Sequence, residues 1–237
     1  MKKIVVQAGH INCQFNSIVG LRTSTGAPGE QELTLRIANR LSEILRLKGF
    51  EVKQTDANAN DDRSITEKDW DLFVALHGDA DAAGNNGGGC VGFPEPSTDA
   101  ATIESQRIAK DLVSEYFNHS GIVNVPGKIT NNIKFYYMWA SLSAKTPCIL
   151  VEMGEVQDAH DKVILADTDR VANALARGIC KTFSVPFEIP PPTVDYKKKW
   201  EDEHTAFEKY KAEAEPLIIS LEKRLSSIAT IATISNE

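Results

Sequence analysis

The sequence predicts an α/β fold: a mostly parallel, twisted sheet flanked by helices on both faces, followed by a C-terminal helical extension. Three observations predict it. Short unbroken apolar runs, Ile4-Val5-Val6, Leu72-Phe73-Val74-Ala75-Leu76 and Cys148-Ile149-Leu150-Val151, read as strands buried on both faces. Stretches of helical spacing lie between them. The polar residues that end these runs, His10, His77 and Glu152, fall where open α/β sheets build their sites, outside the carboxyl ends of the strands.

Taken in order, residues 4–8 form the first strand. Residues 11–29 are a long polar loop with Gly20, Gly26, Pro28 and Gly29. From Glu30 the pattern turns helical, with Leu33, Ile37, Leu41 and Ile44 on one face and Gly49 as a natural stop. Residues 51–55 predict a short strand. A turn and a short helix follow around residues 64–68. Residues 71–76 form the second central strand, and residues 79–89 a Gly/Asn/Ala loop bordering the cleft. A short strand at 90–93, a helix over 102–117, a strand at 135–138, the third central strand at 147–152 and helices within 158–183 complete the domain.

The alternation of strands and helices argues for a parallel sheet. The expected domain spans residues 1–186, and residues 187–194, with Pro190-Pro191-Pro192, read as a stiff linker. In residues 195–237, Trp200, Phe207, Ala214, Leu221 and Ile228 recur every seventh residue, with Tyr210, Leu217 and Ile231 beside them. That short heptad pattern suits a homo-oligomer formed through the C-terminal helix, although Pro216, Glu203 and Arg224 interrupt it.

Composition narrows the function. The 237 residues carry a formal net charge of −7 with no basic block on the main domain, which excludes a phosphate-tracking surface and a nucleic-acid partner. No segment reaches the length of a membrane-spanning helix, so no membrane insertion is expected. The apolar run after Met1-Lys2-Lys3 is too short for a secretory signal, and synthesis in the cytoplasm is the expectation. The four cysteines, Cys13, Cys90, Cys148 and Cys180, are far apart without a CxxC pair, which excludes a disulfide framework or zinc knuckle. Cys148 and Cys180 read as core thiols, Cys13 and Cys90 as bystanders near the site.

Two imidazoles and a carboxylate at three strand ends are the inventory of a catalytic zinc site. His10 and His77 are the first two candidate ligands, and the third should be an acid. Glu30 and Glu32 both sit where the polar loop meets the first helix, where acids also complement the helix dipole. Glu152 ends an apolar strand and precedes Met153-Gly154, a setting that raises a carboxyl pKa and suits a general base and acid. Tyr136, Tyr137 and Trp139 read either as an aromatic wall for sugar or peptide or as core.

Four segments stand in a telling order: Val6-Gln7-Ala8-Gly9-His10, Gly29-Glu30 opening the first helix, Leu76-His77-Gly78-Asp79-Ala80, and Pro147-Cys148-Ile149-Leu150-Val151-Glu152-Met153-Gly154. Over about residues 3–185 the chain resembles the zinc-dependent N-acetylmuramoyl-L-alanine amidases of the amidase 3 family, found in cell-wall hydrolases and phage endolysins. The resemblance implies one Zn²⁺ per chain on His10, Glu30 and His77, with Glu30 chosen over Glu32 by the register of Ile37-Ala38. It implies Glu152 as the catalytic acid/base, peptidoglycan as substrate, and action at the bacterial cell wall. Ile11-Asn12 stands where family members often carry Gly-Gly.

Overall fold

β1 (Lys3–Ala8) carries the apolar run Ile4-Val5-Val6 because both of its faces are covered, and all three residues are wholly buried. The computed structural model describes residues 1–11, 15–16, 21–22, 26–80, 87–95 and 101–188, with backbone alone at 15–16 and 21–22. Within the stretch read as a polar loop, β2 (Phe15–Asn16) and β3 (Leu21–Arg22) form a two-stranded antiparallel pair. Cys13 and the heptad segment 195–237 lie outside the described residues.

Helix α1 (Glu30–Leu47) follows the predicted spacing, burying Leu33, Ile37, Leu41 and Ile44. It ends where Gly49 takes φ 85° and Phe50 N–H donates back to Leu45 O at 3.1 Å, a left-handed stop that glycine adopts at no steric cost. β4 (Glu51–Thr55) leads through a short turn to α2 (Arg63–Thr66), capped by Asp62, whose side chain accepts from Ser64 N–H. β5 (Leu72–Asp79), β6 (Cys90–Gly92), α3 (Thr102–Ser120), α4 (Asn131–Lys134), β7 (Cys148–Glu155), α5 (Ala159–Ala166) and α6 (Thr168–Thr182) follow.

The five-stranded sheet has the order β4-β1-β5-β7-β6. Its first four strands pair in parallel and β6 runs antiparallel to β7. Helices cover both faces, unequally. On one face Ile4, Val6, Leu72, Val74, Ile149 and Val151 pack against α1, α3 and α6 through residues such as Ile37, Leu112 and Leu175. On the other, Val5, Phe73, Ala75 and Leu150 pack against Ala59, Ile65, Ile133, Met138, Trp139 and Leu142, which come from short helices and turns.

Two expectations change. Residues 135–138 are not a strand. Phe135 N–H donates to Asn131 O, Tyr136 N–H to Ile133 O and Trp139 N–H to Tyr136 O, so the segment spends its backbone donors on local partners and turns into a 3₁₀ helix at Trp139–Ser141. Trp139 is buried beneath the second face with its indole N–H on Ile133 O at 2.9 Å, which settles it as core. The central strands also run beyond the apolar letters. β5 continues to Asp79 and β7 to Glu155, so His77 and Glu152 lie inside paired strands rather than past their ends. Their polar side chains end the apolar run without ending the backbone ladder.

Cys148 and Cys180 are buried free thiols. Cys90 is a third, opening β6. Burial first, then the nearby negative charge of Glu152 and Asp79, pushes its thiol up to about 12. Among the described residues, no helix is long and apolar enough to cross a membrane.

The inward face of α1 is testable. Leu41 is wholly buried and Leu47 is exposed. Leu41→Ala should lower the unfolding free energy by about 2–5 kcal/mol. Leu47→Ala should change it by less than about 0.5 kcal/mol. Urea titrations with an unchanged m-value measure both, and equal effects at the two positions would refute the assigned face.

Candidate metal centre

The first contributor follows β1 directly. Gly9 N–H donates to Leu76 O at 3.0 Å, holding the chain against β5 for one more residue. A Cβ on Gly9 would stand 2.5 Å from Leu76 O and 2.7 Å from His77 Cε1, so only glycine allows this approach. The chain then leaves the sheet at His10 with φ 61°, the left-handed region that non-glycine residues seldom adopt.

Glu30 reaches the same point from the first turn of α1. It is 3% exposed, whereas Glu32 is exposed. Oε1 lies 3.3 Å from His10 Nε2 and 3.4 Å from His77 Nδ1, and accepts from Gly78 N–H at 3.0 Å. Oε2 accepts from Ala27 N–H at 2.8 Å. Burial alone would raise the Glu30 pKa. The hydrogen bonds with His10, His77 and Gly78 outweigh it and hold the carboxyl far below its usual range. Gly26, at φ 77°, closes this side of the site: a Cβ there would come within 2.5 Å of Glu30 Oε2 and 2.8 Å of His10 Cγ.

The two imidazoles stand edge to face, with ring centroids 4.8 Å apart. One donor atom from each of His10, Glu30 and His77 falls within 4.8 Å of the others. Ligands about 2.1 Å from a tetrahedral zinc lie about 3.4 Å from one another, and the two carboxylate–imidazole separations match that spacing. Burial, the largest effect, lowers the His77 pKa, which favours the neutral imidazole that a metal requires. The donor set thus fits a zinc ion. The structure brings His10, Glu30 and His77 together and leaves Glu32 outside.

Glu152 stands beside them. It pairs in register with His77 across β5 and β7, so the two side chains share a sheet face. Its Oε2 is shielded from solvent and meets no hydrogen-bond partner. Burial first, then the charge of Glu30 and of Asp79, raises its pKa well above the usual carboxyl range, with Lys128 opposing. Lys128 links Asp79 at 2.7 Å and Glu155 at 3.3 Å, fastening the ends of β5 and β7 next to the site. Glu155 is wholly buried in that ion pair. A second acidic group, Asp158, His160 and Asp161, is spent on backbone. Asp158 caps α5, and Asp161 accepts from Gly88 and Glu155 N–H.

Sequence reasoning missed Gly26, Ala27, Lys128 and Gln7. Gln7 alone left a signal, a polar letter inside an apolar run. Tyr136, left open between wall and core, lies with its Oη 3.2 Å from His77 Nε2.

Residues 4–181 match the amidase 3 family of N-acetylmuramoyl-L-alanine amidases. The chain belongs to this family. Solved structures of amidases share its fold. The catalytic domain of CwlV from Bacillus (Paenibacillus) polymyxa var. colistinus is 18% identical with a TM-score of 0.57, over 78% of this chain and all of that one (100%). Ami1 from Mycobacterium smegmatis is 19% identical with a TM-score of 0.62, over 78% of this chain and 98% of that one. The catalytic domain of the CD27L endolysin targeting Clostridia difficile is 14% identical with a TM-score of 0.55, over 76% and 98%. A comparison with curated protein sequences gives no match. Membership in the amidase family makes hydrolysis of a peptidoglycan amide the class of reaction for this chain.

The raised pKa of Glu152 has a consequence for stability. A carboxyl that holds its proton more tightly when folded supports the fold fully below its unfolded pKa, and this contribution is lost as pH rises through the folded value. In the metal-free protein, the parent should therefore lose stability relative to Glu152→Gln as pH is raised from 4.5, the ordinary carboxyl value. Urea titrations across pH with a chelator present test this, and two curves that stay parallel would contradict the shielded, unpartnered Oε2.

Proposed function

We propose that the chain is a zinc-dependent N-acetylmuramoyl-L-alanine amidase acting on peptidoglycan at the bacterial cell wall. It holds one Zn²⁺ per chain on His10, Glu30 and His77 and moves the proton through Glu152. The observation that carries this reading is the buried Glu30 carboxylate, set between two imidazoles at ligand spacing with Glu152 in register beside them.

Zinc bound there supplies Lewis-acid chemistry, polarising a carbonyl and bringing the pKa of water to about 7. Glu152 accepts the proton released as water attacks the lactyl carbonyl, then returns it to the departing nitrogen of L-alanine. A C–O bond forms, the amide C–N bond breaks, and the products are a muramic-acid carboxylate and a free amino terminus. A carboxyl with raised proton affinity and no competing hydrogen-bond donor at Oε2 suits both halves of that transfer. Glu30 is held anionic by the Gly78 and Ala27 N–H groups and stays a binding group throughout.

Purified peptidoglycan, assayed for new L-alanine amino termini alongside the zinc content of the protein, tests the reading. Glu152→Gln should keep zinc and lose about 10²–10⁴-fold in turnover. His10→Ala and His77→Ala should lose the metal as well. Chelation should abolish hydrolysis and added zinc restore it. Parent-level lysis by Glu152→Gln, or full activity without zinc, would sink the proposal.

A further inference from the structure

We infer that Gln7 and Tyr136 are positioning residues for His77: a one-way chain of hydrogen bonds starting at the Asp56 carbonyl fixes the imidazole proton on Nε2 and leaves Nδ1 as the ligand atom. The inference rests on the zinc reading above.

Gln7 is wholly buried inside β1, on the sheet face that also carries Val5, His77 and Glu152. Its Nε2 lies 3.0 Å from Asp56 O and 3.1 Å from Tyr137 Oη. Its Oε1 lies 3.0 Å from Tyr136 Oη, which in turn lies 3.2 Å from His77 Nε2. Tyr137 Oη donates to Ala57 O at 2.5 Å.

The direction of each bond follows from the far end. A backbone carbonyl only accepts, so Asp56 O demands the amide nitrogen of Gln7. The opposite amide orientation would set two acceptors against each other at 3.0 Å. Tyr137 gives its proton to Ala57 O, so it too accepts from Gln7. The Gln7 oxygen therefore faces Tyr136 and takes its hydroxyl proton. The Tyr136 oxygen is then an acceptor for His77, and the imidazole proton resides on Nε2. Nδ1 faces Glu30, 3.4 Å away. Without metal that contact is the hydrogen bond that lowers the Glu30 pKa. In the zinc-loaded protein, where both residues are ligands, a proton fixed on Nε2 leaves Nδ1 its lone pair for the metal. An imidazole fixed in this way binds metal through one nitrogen in one orientation.

The chain makes a prediction that mere packing does not. In Tyr136→Phe the ring stays and the acceptor goes, so zinc affinity should fall about 10–100-fold. In Gln7→Met the Tyr136 hydroxyl loses its acceptor, turns toward Nε2 and drives the imidazole proton to Nδ1. The loss should be at least as large. In the double variant no hydroxyl remains to turn, so affinity should be no weaker than in Tyr136→Phe alone.

Zinc titration against a competing chelator measures all four proteins. Nitrogen-15 spectra of the histidine side chains in the zinc-loaded parent should show the His77 proton on Nε2, protected from exchange, with that protection lost in Tyr136→Phe. Single variants within about twofold of the parent, or losses that add in the double variant, overturn the inference. A proton on Nδ1 of the zinc-loaded parent overturns it without any variant, should Gln7→Met fail to fold. A parent that binds no zinc fails the metal reading and this inference with it. A parent that binds zinc while its variants match it fails this inference alone.

Discussion

The buried carboxylate of Glu30 is the constraint around which this domain is arranged. Taking a carboxylate out of water costs several kcal/mol unless charges and donors replace its hydration. Here the replacement comes from four groups on three segments: Gly78 N–H and the His77 imidazole from β5, Ala27 N–H from the loop before α1, and the His10 imidazole from just past β1. The positive N-terminal end of α1 adds to them. Each contribution fixes a relationship between elements. Thr34, one helical turn after Glu30, donates to Gly9 O at 2.8 Å and binds α1 to the end of β1. The parallel register of β1 and β5, with Ala8 opposite Leu76, brings His10 to His77. The same side of α1 then continues inward as Leu33, Ile37 and Leu41, so one helix face is site at its start and core thereafter.

The anion that holds the imidazoles also conditions Glu152. Along β5 and β7 the residue pairs Phe73 with Cys148, Ala75 with Leu150 and His77 with Glu152 occupy one face in succession. Two apolar layers give way to an ionisable one at the carboxyl edge of the sheet, with no change in backbone geometry. Glu152 meets the field of Glu30 in a desolvated place and holds its proton, while Lys128, paired with Asp79 and Glu155, limits the effect. Two carboxyls in one cleft are thereby driven apart in proton affinity. One is solvated by fixed donors and stays ionised, and the other has an orphaned oxygen and can exchange a proton.

Much of this was legible in the sequence for a physical reason. A strand covered on both faces must be apolar throughout, so a histidine or glutamate closing such a run stands out, as His77 and Glu152 do. The same logic misled at the strand ends. A polar side chain turned to a cleft interrupts the apolar letters while the ladder continues, as the bond from Val156 N–H to Asp79 O shows. Glu30 and Glu32 could have been told apart from the helix itself. Positions 30, 33, 37 and 41 share one stripe, whereas position 32 lies about 200° round from position 30. The aromatic segment before Trp139 was illegible in kind. Strand and covering turn have the same composition there, and only the local backbone bonds to Asn131 O and Ile133 O decide between them.

The two faces of the sheet divide the labour. The long helices α1, α3 and α6 bury one face in a continuous apolar cluster. The opposite face is covered by short helices and turns that satisfy their own backbone groups, and that is the face to which Gln7, His77 and Glu152 belong. A thin covering lets the site be walled by residues such as Tyr136 and Tyr137 without asking them to hold the sheet together. Glu30 is the exception that joins the two halves. It starts a helix of the thick face, yet its carboxylate meets an imidazole of the thin one, and the two meet just past the carboxyl end of β1, beside the last residues of β5. An α/β sheet with parallel central strands offers one edge where groups from both faces converge, and a centre built from a helix start, a strand interior and the residues just past a strand end belongs at that edge.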